Sequence, residues 1–144
     1  MIWLLDTNVV SELRKVSAGR ADAEVAAWAR SRPAGLDWIS AITVFELELG
    51  IARVERRDVE AGRVLRDWMD GAVLVESDGR TAPVDAAIAR RAARNRLPDP
   101  RPERDAFIAA TALEHGFGVV TRNTDDFAGY GLRLHNPWSG EPAG

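Results

Sequence analysis

The chain has 144 residues, 46% of them apolar, and a formal net charge of −3. That length suits one domain with a real core, and the charge does not by itself announce a nucleic-acid binder. Cysteine is absent, which excludes disulfides, thiolate metal sites and cysteine nucleophiles and suits a reducing cytosol.

Four apolar residues, Ile2 to Leu5, read as a short buried strand that stops on Asp6, Thr7 and Asn8. Asn8 to Lys15 predicts a helix with Val9, Val10 and Leu13 inward, and Ala21 to Arg30 a second with Val25 and Trp28 as its stripe. Trp38-Ile39 is a brief strand. Ser40 then caps a long helix to about Arg53. Gly50 inside that helix costs up to ~1 kcal/mol unless backbones approach closely there. Asp58 to Met69 is helical, Asp70-Gly71 turns, and Ala72 to Val75 reads as a strand. Pro83 opens a helix to Asn95. Leu97 to Pro102, with prolines at 98, 100 and 102, should be extended. Glu103 to His115 is a helix closed by Gly116. Val119 to Thr121 is a strand, Asp125 to Ala128 a short turn or helix, and Leu132 to Leu134 a last strand. The run from Pro137 reads as loose. Short strands between helices argue α/β with a largely parallel sheet. The organisation is one domain over residues 1–138 with a tail over 139–144.

The start lacks a basic segment ahead of an apolar one, as a signal peptide has, and no apolar run nears the ~20 residues that span a membrane. The expectation is a cytoplasmic protein with no membrane contact. Of the 19 basic residues only Lys15 is a lysine, and six arginines (90, 91, 94, 96, 101 and 104) crowd one stretch. Arginine suits bidentate phosphate contact; a solvated face is the plainer reading.

The chemistry lies in the acids. Asp6 ends a buried strand, where open α/β sheets place ligands; it could equally cap the next helix, although Thr7 and Asn8 could cap in its place. Ile42, Phe45, Leu49 and Ala52 share one helical face, and the helix looks apolar nearly all round, so it should be buried. Glu46 and Glu48 both sit in it, and periodicity does not choose between them. Asp105 lies in the first turn of its helix, favoured there by the dipole, on a face shared with Ile108, Ala109 and Ala112. Asn123, Asp125 and Asp126 follow a strand, as Asp6 does. Oxygen-only donors without histidine or cysteine select hard cations such as Mg²⁺ or Mn²⁺. The chemistry that follows is attack of water on a phosphodiester. No dinucleotide or P-loop glycine pattern is present, and neither His115 nor His135 is placed for catalysis.

With these residues in view, the sequence resembles a PIN-domain ribonuclease of the VapC toxin group, FitB-like branch. The matching pieces are Leu4 to Glu12, Ile39 to Leu47, Asp105 to Ala112, Val120 to Asn123 and Asn136 to Trp138. The resemblance implies a three-layer α/β fold, a central parallel sheet of four to five strands between helices. It implies a metal-dependent endoribonuclease using Mg²⁺ or Mn²⁺ to hydrolyse RNA. By motif, Asp6, Glu46 and Asp105 become the catalytic, metal-site acids, which favours Glu46 over Glu48, and Asp126 becomes a further metal candidate. Relatives carry aspartate where this chain has Asn123; Asn123, Arg122 and Thr7 are expected to contact substrate or metal-bound water. A VapB-type antitoxin and a toxin homodimer are the implied partners. The helices from Ala21 to Arg30 and Ile42 to Leu65 could supply the antitoxin groove, with Trp28, Trp38 and Trp68 as interface or core. Two other readings fit the same motifs: a PIN nuclease of RNA processing without an antitoxin, and a catalytically idle PIN-like binding module.

Overall fold

A computed structural model describes residues 1–97 and 102–142. Its centre is a parallel sheet. Strand β1 (Trp3–Leu5) pairs with β4 (Gly118–Val120), and β4 with β5 (Leu134–His135). On the other side β2 (Ile39–Ser40) pairs with β3 (Thr81–Ala82). A parallel bridge of Leu4 to Trp38 joins the two halves, with the Leu5 amide donating to the Trp38 carbonyl at 2.8 Å. The order across the whole is therefore β3-β2-β1-β4-β5. All pairings are parallel, so all described strands end on one edge.

Alternation along β1 and β4 divides the core between two faces. Trp3, Leu5 and Val120 point to one layer with Val9, Leu47, Ile51 and Met69. Leu4 and Val119 point to the other, with Ile108, Ala109, Ala112 and Phe127. The first face is covered by α1 (Thr7–Leu13), α3 (Ala41–Arg57) and α4 (Val59–Trp68), and the second by α7 (Glu103–His115). Small residues let α7 approach closely, and α6 (Ala86–Asn95) packs on its outer side through Ile88 and Ala92 against Ala106 and Ala110. Helix α2 (Ala23–Ser31) starts on an Asp22 cap and buries Val25. Ser40 caps α3, accepting from the Ile42 amide, and Gly116 closes α7 at φ 70°.

The structure corrects several expectations. Ala72 to Val75 is not a strand: Met69–Val73 is a π-helical turn running into the short α5 (Leu74–Glu76). Its apolar run serves one buried side, with Met69 and Val73 in the core and Val75 outside. The sheet position falls instead to Thr81-Ala82, too short to show a period. Pro83 precedes its helix; Asp85 caps it, accepting from the Ile88 amide. The last strand lies at Leu134–His135. The run from Pro137 is not loose at its start: Pro137–Ser139 form a 3-10 turn, with Pro137 buried and Trp138 on the core. Helix α3 is not buried all round. Its buried stripe is Thr43, Leu47 and Ile51, and Phe45 is exposed. The segment expected to be extended falls, at residues 98–101, outside the described residues. Among the described residues no helix is long and apolar enough to cross a membrane.

Candidate active site

Parallel register sets the first pair of the site. Leu5 of β1 lies beside Val120 of β4, so the next residues, Asp6 and Thr121, leave the sheet side by side. The Asp6 amide donates to the Val120 carbonyl at 2.9 Å. Its side chain is only 6% exposed. Oδ2 accepts from the Thr121 hydroxyl at 2.8 Å and from Asn8 Nδ2 at 3.3 Å, while Oδ1 accepts from the Thr7 amide at 2.8 Å. Asp6 therefore caps α1 as well as lining the edge. The expectation that Thr7 and Asn8 relieve it of that role is wrong, because their side chains are used elsewhere. The Thr7 hydroxyl donates to Glu46 Oε1 at 2.8 Å and stands 3.1 Å from the Thr43 hydroxyl. Asn8 Oδ1 accepts from the Arg122 amide at 3.3 Å. Thr7 thus links the strand-end acid to the helix acid.

Glu46 and Glu48 lie on the same helix and meet different surroundings. Glu48 faces α4 and accepts from Arg66 at 2.6 Å. Glu46 faces the sheet edge, where Arg104 Nη1 approaches Oε2 at 3.5 Å. Asp105, at the start of α7, completes the cluster. No described residue donates a hydrogen bond or offers an ion pair to its half-buried carboxylate, and its pKa is raised to about 6, first by burial and then by Asp6, Asp126 and Glu46. The Asp6 pKa is also raised, chiefly by burial. The hydrogen bonds from Thr121 and Thr7 oppose this, and the charges of Glu46 and Asp126 add to it. Four acids thus share one field with little positive charge among them.

The third group sits on α8 (Thr124–Phe127) and the turn before it. Asn123 is exposed; its amide donates to the Thr121 hydroxyl at 3.0 Å, and its side chain makes no cap. Asp126 is exposed yet near enough to act on both Asp6 and Asp105. Asp125 takes no part in that field. The Arg122 guanidinium lies over the Trp138 ring, 5.1 Å from its centroid.

As placed, no three acids of the described residues stand close enough together to enclose an ion by themselves. That agrees with a hard cation held by one or two carboxylates, water and phosphate. Two observations fit such a group: among the described residues no donor reaches the half-buried Asp105 carboxylate, and the charges that raise its pKa are all those of acids. An unpartnered carboxylate in that setting calls for a cation.

Sequence reasoning missed Thr121 and Thr43, and named Arg104 only as one member of an arginine-rich stretch. Thr121 was within reach, because placing the ends of two parallel strands in register puts it beside Asp6. The histidines stay outside the site. His135 is buried between Trp3 and Trp28, its pKa lowered by burial and then by Arg32. His115 stacks on Phe117. Trp28 and Trp68 pack on the first core and Trp38 on the second.

A separate cleft of about 420 Å³ opens between α1, the end of α2 and the α4–α5 turn, lined by Val10, Leu13, Trp68 and Val73 with Arg14 and Arg32 at its wall. Arg32 is paired with Asp37 at 2.7 Å. Arg14 has no ion pair among the described residues.

Residues 3–131 match the PIN domain family. The chain is 38% identical to the VapC ribonuclease Y4jK of Sinorhizobium fredii, over 97% of this chain and 99% of that protein. It is 34% identical to the toxin FitB of Neisseria gonorrhoeae, over 94% and 97%. Among solved structures, FitAcB from Neisseria gonorrhoeae superposes with a TM-score of 0.84 at 32% identity, covering 95% of this chain and 99% of that one.

Proposed function

The chain belongs to the PIN-domain family, and we propose that it is a VapC-type endoribonuclease, the toxin of a toxin–antitoxin pair. Of the two relatives named above, each matched over nearly its whole length, one is a ribonuclease and the other a toxin. The observation that carries the catalytic reading is the shared field of Asp6, Glu46, Asp105 and Asp126 at one end of a parallel sheet.

The finer reading concerns metal and residues. We propose that Asp6 and Asp105 hold Mg²⁺ or Mn²⁺, with Glu46 binding or orienting its water and Asp126 as a further ligand. When bound, the cation supplies charge stabilisation and a more acidic water for hydrolysis of a phosphodiester. The chain's own residues prepare that step. Thr121 and the Thr7 amide fix the Asp6 carboxylate in one orientation, as outer-shell donors do. The Thr7 hydroxyl holds Glu46 in place. Arg122 and the exposed side-chain amide of Asn123 stand at the rim, where they can meet phosphate or base. Arg104 offsets part of the Glu46 charge while no cation is bound.

The partner reading follows the same relatives. A VapB-type antitoxin partners the toxin, and its segment is proposed to enter the cleft beside Trp68, with an acid of the antitoxin meeting Arg14. This keeps α2 from the expected groove and replaces the middle of α3 with α1 and the α4–α5 turn. A toxin homodimer remains part of the proposal.

The deciding test pairs RNA cleavage with Mn²⁺ calorimetry on wild type and Asp6→Asn. The expected result is metal-dependent cleavage and metal binding that both vanish in the variant. Undiminished metal-dependent cleavage by Asp6→Asn would sink the site assignment. Wild type that neither binds Mn²⁺ nor cleaves RNA would favour the idle binding module, the reading that Asn123 keeps open.

A further inference from the structure

An edge built from carboxylates repels a polyanion, so an RNA strand needs cations and ring faces beside them. The α3 side of the edge carries both. Phe45 is 51% exposed, on the side of α3 away from its buried stripe of Thr43, Leu47 and Ile51. The Arg104 guanidinium lies over its ring, 5.1 Å from the centroid. The same guanidinium reaches Glu46 Oε2 at 3.5 Å, and Arg104 directly precedes Asp105 in the chain. Ring, cation and two of the proposed metal acids therefore form one continuous strip.

Topology gives the strip a direction. Strands β2 and β4 flank β1, so α3 and Arg122 lie on opposite sides of Asp6. Arg122 follows β4, is tied to Asn8 through its amide, and also rests on a ring. Among the described residues, a strand crossing the acid edge thus meets a ring-bound arginine on each side, and only on the α3 side is that ring a largely exposed one.

We infer that Phe45 and Arg104 form a nucleotide subsite, in which the ring stacks one unpaired base and the guanidinium holds a neighbouring phosphate. This rests on the reading of the chain as a ribonuclease. A base face and an aromatic face stack without regard to base identity, and Arg104 adds cation–π contact and charge.

The test uses the whole chain and a fluorescein-labelled single-stranded RNA of mixed sequence. Binding is read in EDTA by anisotropy, and cleavage with Mg²⁺ by kcat and KM. Phe45→Ala should weaken binding and raise KM about 10-fold, from the ~1–3 kcal/mol that stacking of one base supplies. The loss should fall on KM rather than kcat. Phe45→Trp should restore binding. Arg104→Gln should lower the slope of log affinity against log salt by about 0.7, the value for one contact to a single strand. Unchanged Kd and KM in Phe45→Ala would overturn the subsite, as would a loss confined to kcat. A fall from dimer to monomer in Phe45→Ala, seen by light scattering, would overturn it too, because the ring would then be an interface between copies. If the wild type leaves RNA intact, the ribonuclease reading falls, and the EDTA comparison still decides the subsite.

Discussion

The carboxyl edge of the sheet and the α3–α4 hairpin use the same residue types to opposite ends. On the hairpin, Arg66 sits among Glu48, Glu55 and Asp70, at 2.6, 3.3 and 3.8 Å. The hydrogen bonds that Arg66 donates to the two glutamates raise its pKa further, the one to Glu48 most. At the edge, four acids share one field, and Arg104, the one arginine among the described residues that approaches Glu46, stands at 3.5 Å. Glu46 and Glu48 are two residues apart on one helix, and the helix turn sends them to these two places. Acids that fold with their cation stabilise the fold. Acids that fold without one store repulsion, which an incoming cation can relieve.

Mutation of each region should separate the two roles. The largest effect is expected at the edge. Asp105→Asn should lower RNA cleavage by roughly 100-fold or more, because one carboxylate of a small hard-metal set is lost. The same substitution should leave the metal-free fold intact or raise its stability by about 1 kcal/mol at pH 7.5, after discounting for the exposed half of the side chain. Thermal melts in EDTA check this. Arg66→Ala should behave in the opposite way, losing about 1 kcal/mol of stability while cleavage at 25 °C is kept. An Arg66→Ala protein that folds normally but does not cleave would erase the contrast.

Thr121→Val comes next. It keeps the shape and removes the donor to Asp6, and should cost 10- to 100-fold in metal affinity, the usual weight of an outer-shell bond. Calorimetry with Mn²⁺ measures it.

The pH response should divide along the same line. The Asp105 pKa is raised to about 6 in the fold, against 3.8 for the ordinary side chain. Between these values the folded chain binds more protons than the unfolded one, so stability without metal rises as pH falls through about 6 and levels off below 3.8. Asp6 acts in the same direction. Metal affinity should move the other way, weakening as pH drops below about 6, because the ligand must be deprotonated. Melts and Mn²⁺ titrations at pH 7.5 and pH 5 check both arms. Equal metal affinity at the two pH values would count against Asp105 as a ligand.

The smallest effects concern two glycines on the hairpin. A Cβ on Gly62 would meet the Glu55 Cα at 2.7 Å, while one on Gly50 would meet nothing within 4 Å. The close approach allowed for at Gly50 lies at Gly62 instead. Gly50→Ala should therefore stabilise by up to ~1 kcal/mol. Gly62→Ala should destabilise, by pushing α3 and α4 apart around Arg66. Denaturant titration distinguishes them.

Much of the fold was readable in the chain because its signals are local. The apolar run of Trp3 to Leu5, the Ser40 cap, the small face of Ile108, Ala109 and Ala112, and the Gly116 stop each act within a few residues. The failures have a local cause as well. Val73 to Val75 has the composition of a strand, but Met69 and Val73 are buried one helical turn apart. Thr81-Ala82 is too short to carry any pattern, and its strand exists only because β2 offers it a ladder. Phe45 looked like core by projection, yet the sheet lies on the side of Thr43 and Leu47.

Sequence by itself determined that acids stand at strand ends and helix starts, and the motif order singled out Asp6, Glu46 and Asp105 among them. Only tertiary structure decided which acids have a cation. That depends on how α3 is turned between the sheet edge and α4, because charges respond to whatever lies within a few ångströms in space. Parallel register placed Thr121 beside Asp6, and helix rotation gave Arg66 to Glu48 and left Glu46 with Thr7 and the edge of Arg104.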